Sequence, residues 1–146
     1  LHGAQVSMEL LLRECDILSL HMPLTPETRH ILDAEALAAM KPGAILVNTA
    51  RGGLVDADAL IDALESGHLG GAALDVIEGE AGLYHFNKMS DQIKNRQLSI
   101  LKDMPNVIFS PHMAFYTREA VEQMARCSVE ACHLESLGQE NPWRIC

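Results

Sequence analysis

Short apolar runs alternate with amphipathic stretches along most of this chain. Each apolar run is brief and is followed by polar residues or by proline, which is typical of buried strands. We predict strands over residues 16–21, 44–48, 70–76 and 107–109. Because helical patterns separate these strands, the order predicts an α/β fold built on a doubly wound parallel sheet.

The stretches around the strands carry apolar residues at helical spacing. We predict helices over residues 7–14, 33–40, 57–66, 98–102 and 117–137, and a short helical turn over 24–28. The last helix begins at Thr117, whose hydroxyl suits an N-cap. Its inward face is expected to carry Val121, Met124 and either Cys127 or Ser128.

Residues 82–96 show no clean periodicity and are expected to form a surface excursion. The polar tail over residues 138–146 is expected to be loose. No linker composition separates a second domain within the chain. We therefore expect one domain over residues 1–137, ending in the last helix, with the tail outside it.

Composition narrows the classes of function. The 146 residues are 48% hydrophobic and 21% charged, with a formal net charge of -9, which argues against a nucleic-acid surface. No apolar run approaches the roughly 20 residues that span a bilayer, and no signal peptide opens the chain. The four cysteines have neither metal-ligand nor disulfide-scaffold spacing. We expect a soluble cytoplasmic protein with no membrane partner and no metal site.

Arg51 lies in a tight turn between the strand over residues 44–48 and the helix that follows Asp56. Ligands of open α/β sheets bind beyond the carboxyl ends of the strands, and a guanidinium fork suits a carboxylate. The alternative is that Arg51 is an ordinary surface arginine of a loop.

Glu80 and His112 also follow predicted strands by a few residues, so parallel strands would bring them to the same edge as Arg51. A histidine can exchange a proton near neutral pH, and a neighbouring carboxylate favours its imidazolium form. These three residue types together suit proton transfer to the oxygen of a 2-oxo acid. Taken singly, His112 can also be a cap or core histidine, and Glu80 a solvated loop carboxylate.

Two further strand-end residues leave alternatives open. Asp75 can be a functional carboxylate or a cap or turn residue, and His21 is ambiguous for the same reason. The remaining histidines are interpreted as structural or surface residues: His2, His30, His68, His85 and His133.

At this point four stretches together resemble one family, the NAD-dependent D-2-hydroxyacid dehydrogenases, over nearly the whole chain. They are residues 17–24, 41–53, 71–76 and 105–112. The segments 78–80 and 114–117 resemble its D-lactate dehydrogenase branch, which includes the enzymes of vancomycin-resistance clusters. The resemblance is to the C-terminal part of these enzymes, and it implies a partial Rossmann-like sheet, the second half of the NAD-binding domain.

The resemblance also implies roles for residues. Arg51 matches the family's substrate-binding arginine, Glu80 the acid that partners the histidine, and His112 the general acid/base, while Tyr116 falls near the substrate. The residues implied to line the cofactor are His21, Met22, Pro23, Thr49, Ala50, Arg51, Asp75 and His112.

The implied reaction is reduction of a 2-oxo acid, pyruvate in this branch, by NADH to the D-2-hydroxy acid. His112 would donate the proton, and Arg51 would bind the carboxylate. Two alternatives remain: a hydroxypyruvate or glyoxylate reductase, and a non-catalytic module that senses NAD. A homodimer is expected, because relatives commonly dimerise through this domain.

The chain departs from the family in one respect. It contains no G-x-G-x-x-G turn and no following acidic residue to hold the adenosine ribose. We therefore expect a piece of a longer enzyme, and the choice between NAD and NADP stays open. An uncovered apolar sheet edge and face are expected to make such a piece self-associate.

Overall fold

A computed structural model describes residues 3–80 and 96–144. The chain divides into two compact units, Leu1–His112 and Met113–Cys146. The first unit contains the sheet, and the second contains one long helix.

The sheet of the first unit is parallel and has four strands. They are β1 (Ile17–Leu20), β2 (Ile45–Asn48), β3 (Gly71–Leu74) and β4 (Val107–Phe109), paired in the order β1-β2-β3-β4. All four predicted strands are confirmed, three of them slightly shorter than predicted. The predicted α/β class is confirmed as well, since every strand pair runs parallel.

Helices precede or connect the strands, and their ends follow from local capping. They are α1 (Met8–Glu14), α2 (Ala34–Ala39), α3 (Ala57–Glu65) and α4 (Arg96–Asp103). Side chains of Ser7, Asp33 and Asp56 accept hydrogen bonds from the first turns of α1, α2 and α3. α4 extends beyond the predicted 98–102, so Arg96 belongs to a helix and not to the excursion. The rest of that predicted excursion, residues 82–95, lies outside the described residues.

The core lies on one face of the sheet. Leu18, Leu46 and Ala72 are neighbours across β1, β2 and β3, and all three are buried. The helices contribute Leu37, Leu60 and similar side chains to the same hydrophobic cluster. The opposite face keeps Ile17 and Ile45 exposed, and Ile108 of β4 retains 75% of its accessible surface. The folding free energy of this unit therefore depends on one covered face.

In the second unit, α5 (Arg118–Ser136) begins where predicted, with the Thr117 hydroxyl accepting from the Ala120 N–H. The expectation of an inward face is wrong in part. No residue of α5 is buried, Met124 and Ser128 are exposed, and Val121 and Cys127 are half-buried. A stripe of apolar residues indicates which side of a helix is apolar, but the other described residues of this unit, 113–117 and 137–144, offer little surface to cover it.

Two absences can be stated for the described residues. No helix among them is long and apolar enough to cross a membrane. They also contain no group of His, Cys, Asp and Glu side chains that could hold a metal ion.

Candidate active site

The carboxyl ends of β2, β3 and β4 are joined by backbone hydrogen bonds. The Asp75 N–H donates to the Asn48 carbonyl at 2.9 Å, and the His112 N–H donates to the Asp75 carbonyl at 2.8 Å. Because these bonds continue past the strands, three strand ends hold a fixed spacing. Two of the predicted site residues, Asp75 and His112, are thereby brought to the same edge of the sheet.

Glu80 and His112 form a direct pair. The Nδ1 of His112 lies 3.1 Å from the Oε1 of Glu80, while the Oε2 of Glu80 accepts the Ile77 N–H at 3.1 Å. The Glu80 side chain is 17% exposed and the His112 side chain 35% exposed. A carboxylate at Nδ1 makes that nitrogen the donor, which leaves Nε2 to exchange a proton. Within residues 3–80 and 96–144, nothing forms a hydrogen bond with that Nε2.

His112 has an unusual backbone conformation. Its φ of 55° lies in the left-handed region, which non-glycine residues seldom occupy. The backbone N–H of His112 is shared between the carbonyls of Asp75 and Ser110, so the surrounding hydrogen bonds hold this conformation. Strained residues of this kind cluster at functional sites.

The turn that carries Arg51 is shaped by Asn48, a residue that the sequence interpretation did not single out. The Asn48 amide donates to the Arg51 carbonyl at 3.0 Å, and its oxygen accepts the Ala50 N–H at 3.0 Å. Asn48 is 1% exposed, so its polar groups are satisfied within the protein. An Asn followed by a turn is a recognisable signal for such side-chain bonding to the backbone.

The side chain of Arg51 is exposed, and one of its N–H groups donates to the backbone of the preceding residue. Its Nη1 donates to the Ala50 carbonyl at 2.6 Å. Among the described residues its guanidinium has no carboxylate partner. The remaining N–H groups are therefore available to an anion.

The Arg51 turn packs directly against the segment that leads to Glu80. A Cβ at Gly52 would overlap the carbonyl group of Ile77 and the nitrogen of Glu78. Only glycine permits so close an approach of two backbones. The turn that carries Arg51 and the segment that carries Glu80 are therefore in backbone contact.

Asp75 is a buried carboxylate, 3% exposed, at the end of β3. Its Oδ1 accepts a 2.5 Å hydrogen bond from the Ser110 hydroxyl, which comes from the end of β4. Ser110 was not predicted as a site residue. Its position two residues before His112, on a neighbouring strand end, brings it to Asp75.

The other predicted cofactor-lining residues follow β1 and β2. His21 is exposed and its Nε2 lies 2.8 Å from the Ser19 hydroxyl, while the Pro23 carbonyl accepts from the Thr28 hydroxyl at 2.8 Å. Met22 and Ala50 are half-buried, and Thr49 is exposed. All of them lie at the carboxyl edge of the sheet, as the strand order requires.

Tyr116 belongs to the second unit, where it is exposed and makes an edge-to-face contact with Phe115, with ring centroids 5.9 Å apart. The predicted role of Tyr116 near the substrate stays a prediction.

The opposite edge of the sheet is built differently. There Lys41 donates to the Asp16 carboxylate at 2.5 Å, and this hydrogen bond raises the pKa of Lys41 above its ordinary value. Lys41 is half-buried and Asp16 exposed, and neither belongs to the predicted site. This pair therefore provides a control for experiments on the carboxyl edge.

Comparison with known proteins places these features in a family. Residues 1–114 match the family model described as "D-isomer specific 2-hydroxyacid dehydrogenase, NAD binding domain". An aromatic 2-oxoacid reductase of Clostridium sporogenes is 45% identical over 123 residues, which cover 84% of this chain and 37% of that protein. A D-lactate dehydrogenase of Curvularia clavata is 44% identical over 128 residues, 88% of this chain and 37% of that protein.

A solved structure gives the same result. The crystal structure of a D-lactate dehydrogenase from Treponema pallidum superposes with a TM-score of 0.92 at 39% identity. The match covers 97% of this chain and 43% of that one. The chain thus spans about two-fifths of the length of the relatives that it matches.

Proposed function

The chain belongs to the D-isomer specific 2-hydroxyacid dehydrogenases, through their NAD-binding domain, and on that premise we propose that its protein reduces a 2-oxo acid with NADH. The product is the D-2-hydroxy acid. The observation that carries the proposal is the Glu80–His112 pair, in which one imidazole nitrogen faces a carboxylate and the other is unbonded among the described residues.

In this proposal His112 donates a proton from Nε2 to the carbonyl oxygen of the substrate. Glu80 accepts from Nδ1, which fixes the orientation of the ring and leaves the Nε2 proton directed away from Glu80. In the reverse direction neutral His112 takes the proton back from the hydroxyl group. The Ile77 N–H holds the other oxygen of Glu80, so the carboxylate stays directed at the imidazole.

Arg51 binds the substrate carboxylate through its exposed guanidinium. Its planar fork can form two parallel hydrogen bonds with a carboxylate, which fixes the orientation of the adjacent carbonyl group. Holding the reacting groups in this geometry is itself a large part of catalysis.

The residues at the carboxyl edge fit the nicotinamide end of NAD. Asp75 provides a buried carboxylate of the type that accepts hydrogen bonds from an amide, and Ser110 fixes its orientation. His21, Met22, Pro23, Thr49 and Ala50 would line the rest of that end. The cofactor, when bound, supplies the hydride that reduces the carbonyl carbon.

For the substrate we propose pyruvate, in line with the D-lactate dehydrogenases among the similar proteins. The similarity to an aromatic 2-oxoacid reductase favours a test with a bulkier substrate as well. We also propose a cytoplasmic homodimer, and a mass measurement of the whole protein in dilute solution tests its dimeric state.

The test is NADH oxidation by the whole protein that carries this chain, with pyruvate, hydroxypyruvate, phenylpyruvate and a branched 2-oxo acid. His112→Ala should lower kcat on the preferred substrate roughly 10²- to 10⁴-fold, because it removes the proton donor. His133→Ala, which removes an exposed imidazole of α5, serves as the matched control and should leave kcat unchanged.

The outcomes separate the alternatives. Preference for hydroxypyruvate over pyruvate would support the alternative, a hydroxypyruvate or glyoxylate reductase. If NADH binds and none of the 2-oxo acids is reduced, the protein is a sensing module and the proposed reaction is wrong.

A further inference from the structure

We infer that Glu78 is a positioning residue for the proposed reaction, held by His30 and Arg29 so that it fixes Arg51 and Glu80 relative to each other. The inference rests on the proposed function, since it concerns the geometry of that same site. None of the three residues is among the predicted site residues, and His30 was interpreted only as structural or at the surface.

The contacts of Glu78 reach back to a distant part of the chain. The Nε2 of His30 donates to its carboxylate, lying 2.9 Å from both oxygens, and the Nη2 of Arg29 bonds to Oε1. The side chains of His30 and Glu78 are 31% and 26% exposed, so solvent screens this pair only in part. On its other side, the Nδ1 of His30 lies 3.9 Å from the Oδ2 of Asp56, the N-cap of α3.

The backbone of His30 is fixed to the Arg51 turn. Its N–H donates to the Gly53 carbonyl at 2.9 Å, and Leu32 donates to the Leu54 carbonyl next along the same loop. The φ of His30 is 51°, in the left-handed region, so this conformation needs support from its surroundings. The side-chain bond to Glu78 and the backbone bond to Gly53 together provide such support.

Glu78 in turn governs two parts of the site. Its backbone and that of Ile77 are pressed against Gly52, directly after Arg51. The Ile77 N–H holds the carboxylate of Glu80 that faces His112. A shift of residues 77–78 would therefore move the Arg51 turn and the Glu80 carboxylate together.

The expected consequence is selective. Loss of the Glu78 carboxylate should weaken substrate binding, through Arg51, and slow proton transfer, through Glu80. NADH affinity should remain, because Asp75 is held separately by the Asn48 carbonyl and the Ser110 hydroxyl.

The experiment compares Glu78→Ala, Glu78→Gln and Asp16→Ala in the whole protein. Glu78→Ala should raise KM for pyruvate, lower kcat and reduce kcat/KM roughly 10- to 100-fold, because small displacements from reactive geometry are costly in rate. Glu78→Gln keeps an oxygen that can accept from His30 and Arg29, so it should restore kcat/KM to within about threefold of the wild type. Asp16→Ala breaks the ion pair with Lys41 at the opposite edge and should leave kcat/KM unchanged.

Two binding measurements accompany the kinetics: NADH affinity, and affinity of the NADH complex for oxamate, an unreactive analogue of a 2-oxo acid. Oxamate binding should weaken in Glu78→Ala. The NADH Kd should stay within about twofold, because the contacts that hold Asp75 do not involve Glu78. A tenfold rise in the NADH Kd would mean a loss of about 1.4 kcal/mol of binding free energy. A wild-type protein that binds oxamate but reduces no 2-oxo acid would refute the proposed function, and the oxamate comparison would still decide the role of Glu78.

Several results would overturn the positioning role. If Glu78→Ala keeps the wild-type kcat/KM, the positioning role of Glu78 is wrong. The same holds if Glu78→Ala keeps the wild-type affinity for oxamate. Equal losses in Glu78→Ala and Asp16→Ala, or a loss of NADH affinity as large as that of oxamate, would show a general structural effect. A wild-type protein that binds no oxamate would refute both the anion site at Arg51 and the role inferred for Glu78.

Discussion

The segment Glu78-Gly79-Glu80 gives one carboxylate to His30 and another to His112, and the two pairs that result have different surroundings. Gly79, with φ of 74°, provides the left-handed backbone between the two glutamates. Both histidines also have left-handed backbones, and they are the non-glycine residues with positive φ in the described parts of the chain. The local conformations are therefore alike.

The difference lies at the second ring nitrogen. In the Glu78–His30 pair, the other nitrogen faces Asp56, so both sides of the ring meet carboxylates of the protein. In the Glu80–His112 pair, Nε2 has no hydrogen-bond partner in the described residues. In the proposed function the two pairs therefore have different roles: the Glu78–His30 pair joins two loops, and the Glu80–His112 pair exchanges a proton through its unbonded nitrogen.

Among variants that test the difference between the Glu80–His112 and Glu78–His30 pairs, Glu80→Gln is expected to have the largest effect on kcat. It keeps the shape of the side chain but removes the carboxylate that accepts from Nδ1 of His112 and orients the ring. We therefore expect kcat to fall about 100-fold, within the range for general acid catalysis. Steady-state kinetics of Glu80→Gln and Glu78→Gln, with thermal unfolding of both, is the measurement. Equal loss of kcat in the two variants would mean that the pairs do not differ in function.

Gly52→Ala should disturb both pairs at once, because its Cβ would overlap the Ile77–Glu78 backbone. We expect the free energy of unfolding to fall by about 1–3 kcal/mol, as for other overpacked sites, and KM for the 2-oxo acid to rise about tenfold through displacement of Arg51. Denaturant unfolding and KM are the measurements. Gly3→Ala, at a glycine with no atom near the added Cβ, is the matched control and should leave both values unchanged.

The smallest of these effects is expected from Ser110→Ala, which removes a hydroxyl that bonds to Asp75 and keeps the backbone carbonyl that accepts from the His112 N–H. It removes the 2.5 Å hydrogen bond to Asp75, so NADH affinity should fall about fivefold, equivalent to about 1 kcal/mol. Titration of NADH fluorescence gives the Kd, with Ser66→Ala as the control at an exposed hydroxyl of the α3 end. A larger change in kcat than in Kd would place Ser110 with the Glu80–His112 pair instead.

Much of the fold could be predicted because its signals are local. A short apolar run indicates a buried strand, and Thr117 was recognised from the sequence as the N-cap of the helix that it begins. The inward face of α5 was predicted wrongly at Met124, because whether an apolar stripe is covered depends on what packs against it.

The same distinction between local signals and long-range contacts holds for the site. Arg51, Glu80 and His112 could be proposed from strand ends and from the family resemblance. The links from Asn48 to the Arg51 turn and from His30 to Glu78 were not predicted. His30 and Glu78 lie 48 positions apart, and nothing in either local sequence indicates the other. Only the parallel order of the strands brings their loops together.

That strand order also bears on how the chain acquires its structure. Each strand pairs with the strand immediately before it in sequence, from β1 to β4. During synthesis, every newly emerging strand and its helix can add to a sheet edge that already exists, without waiting for a later segment. His112, which follows β4, is the last residue of the Glu80–His112 and Glu78–His30 pairs to be synthesised, so the Glu80–His112 pair can form only after these four strands have been made.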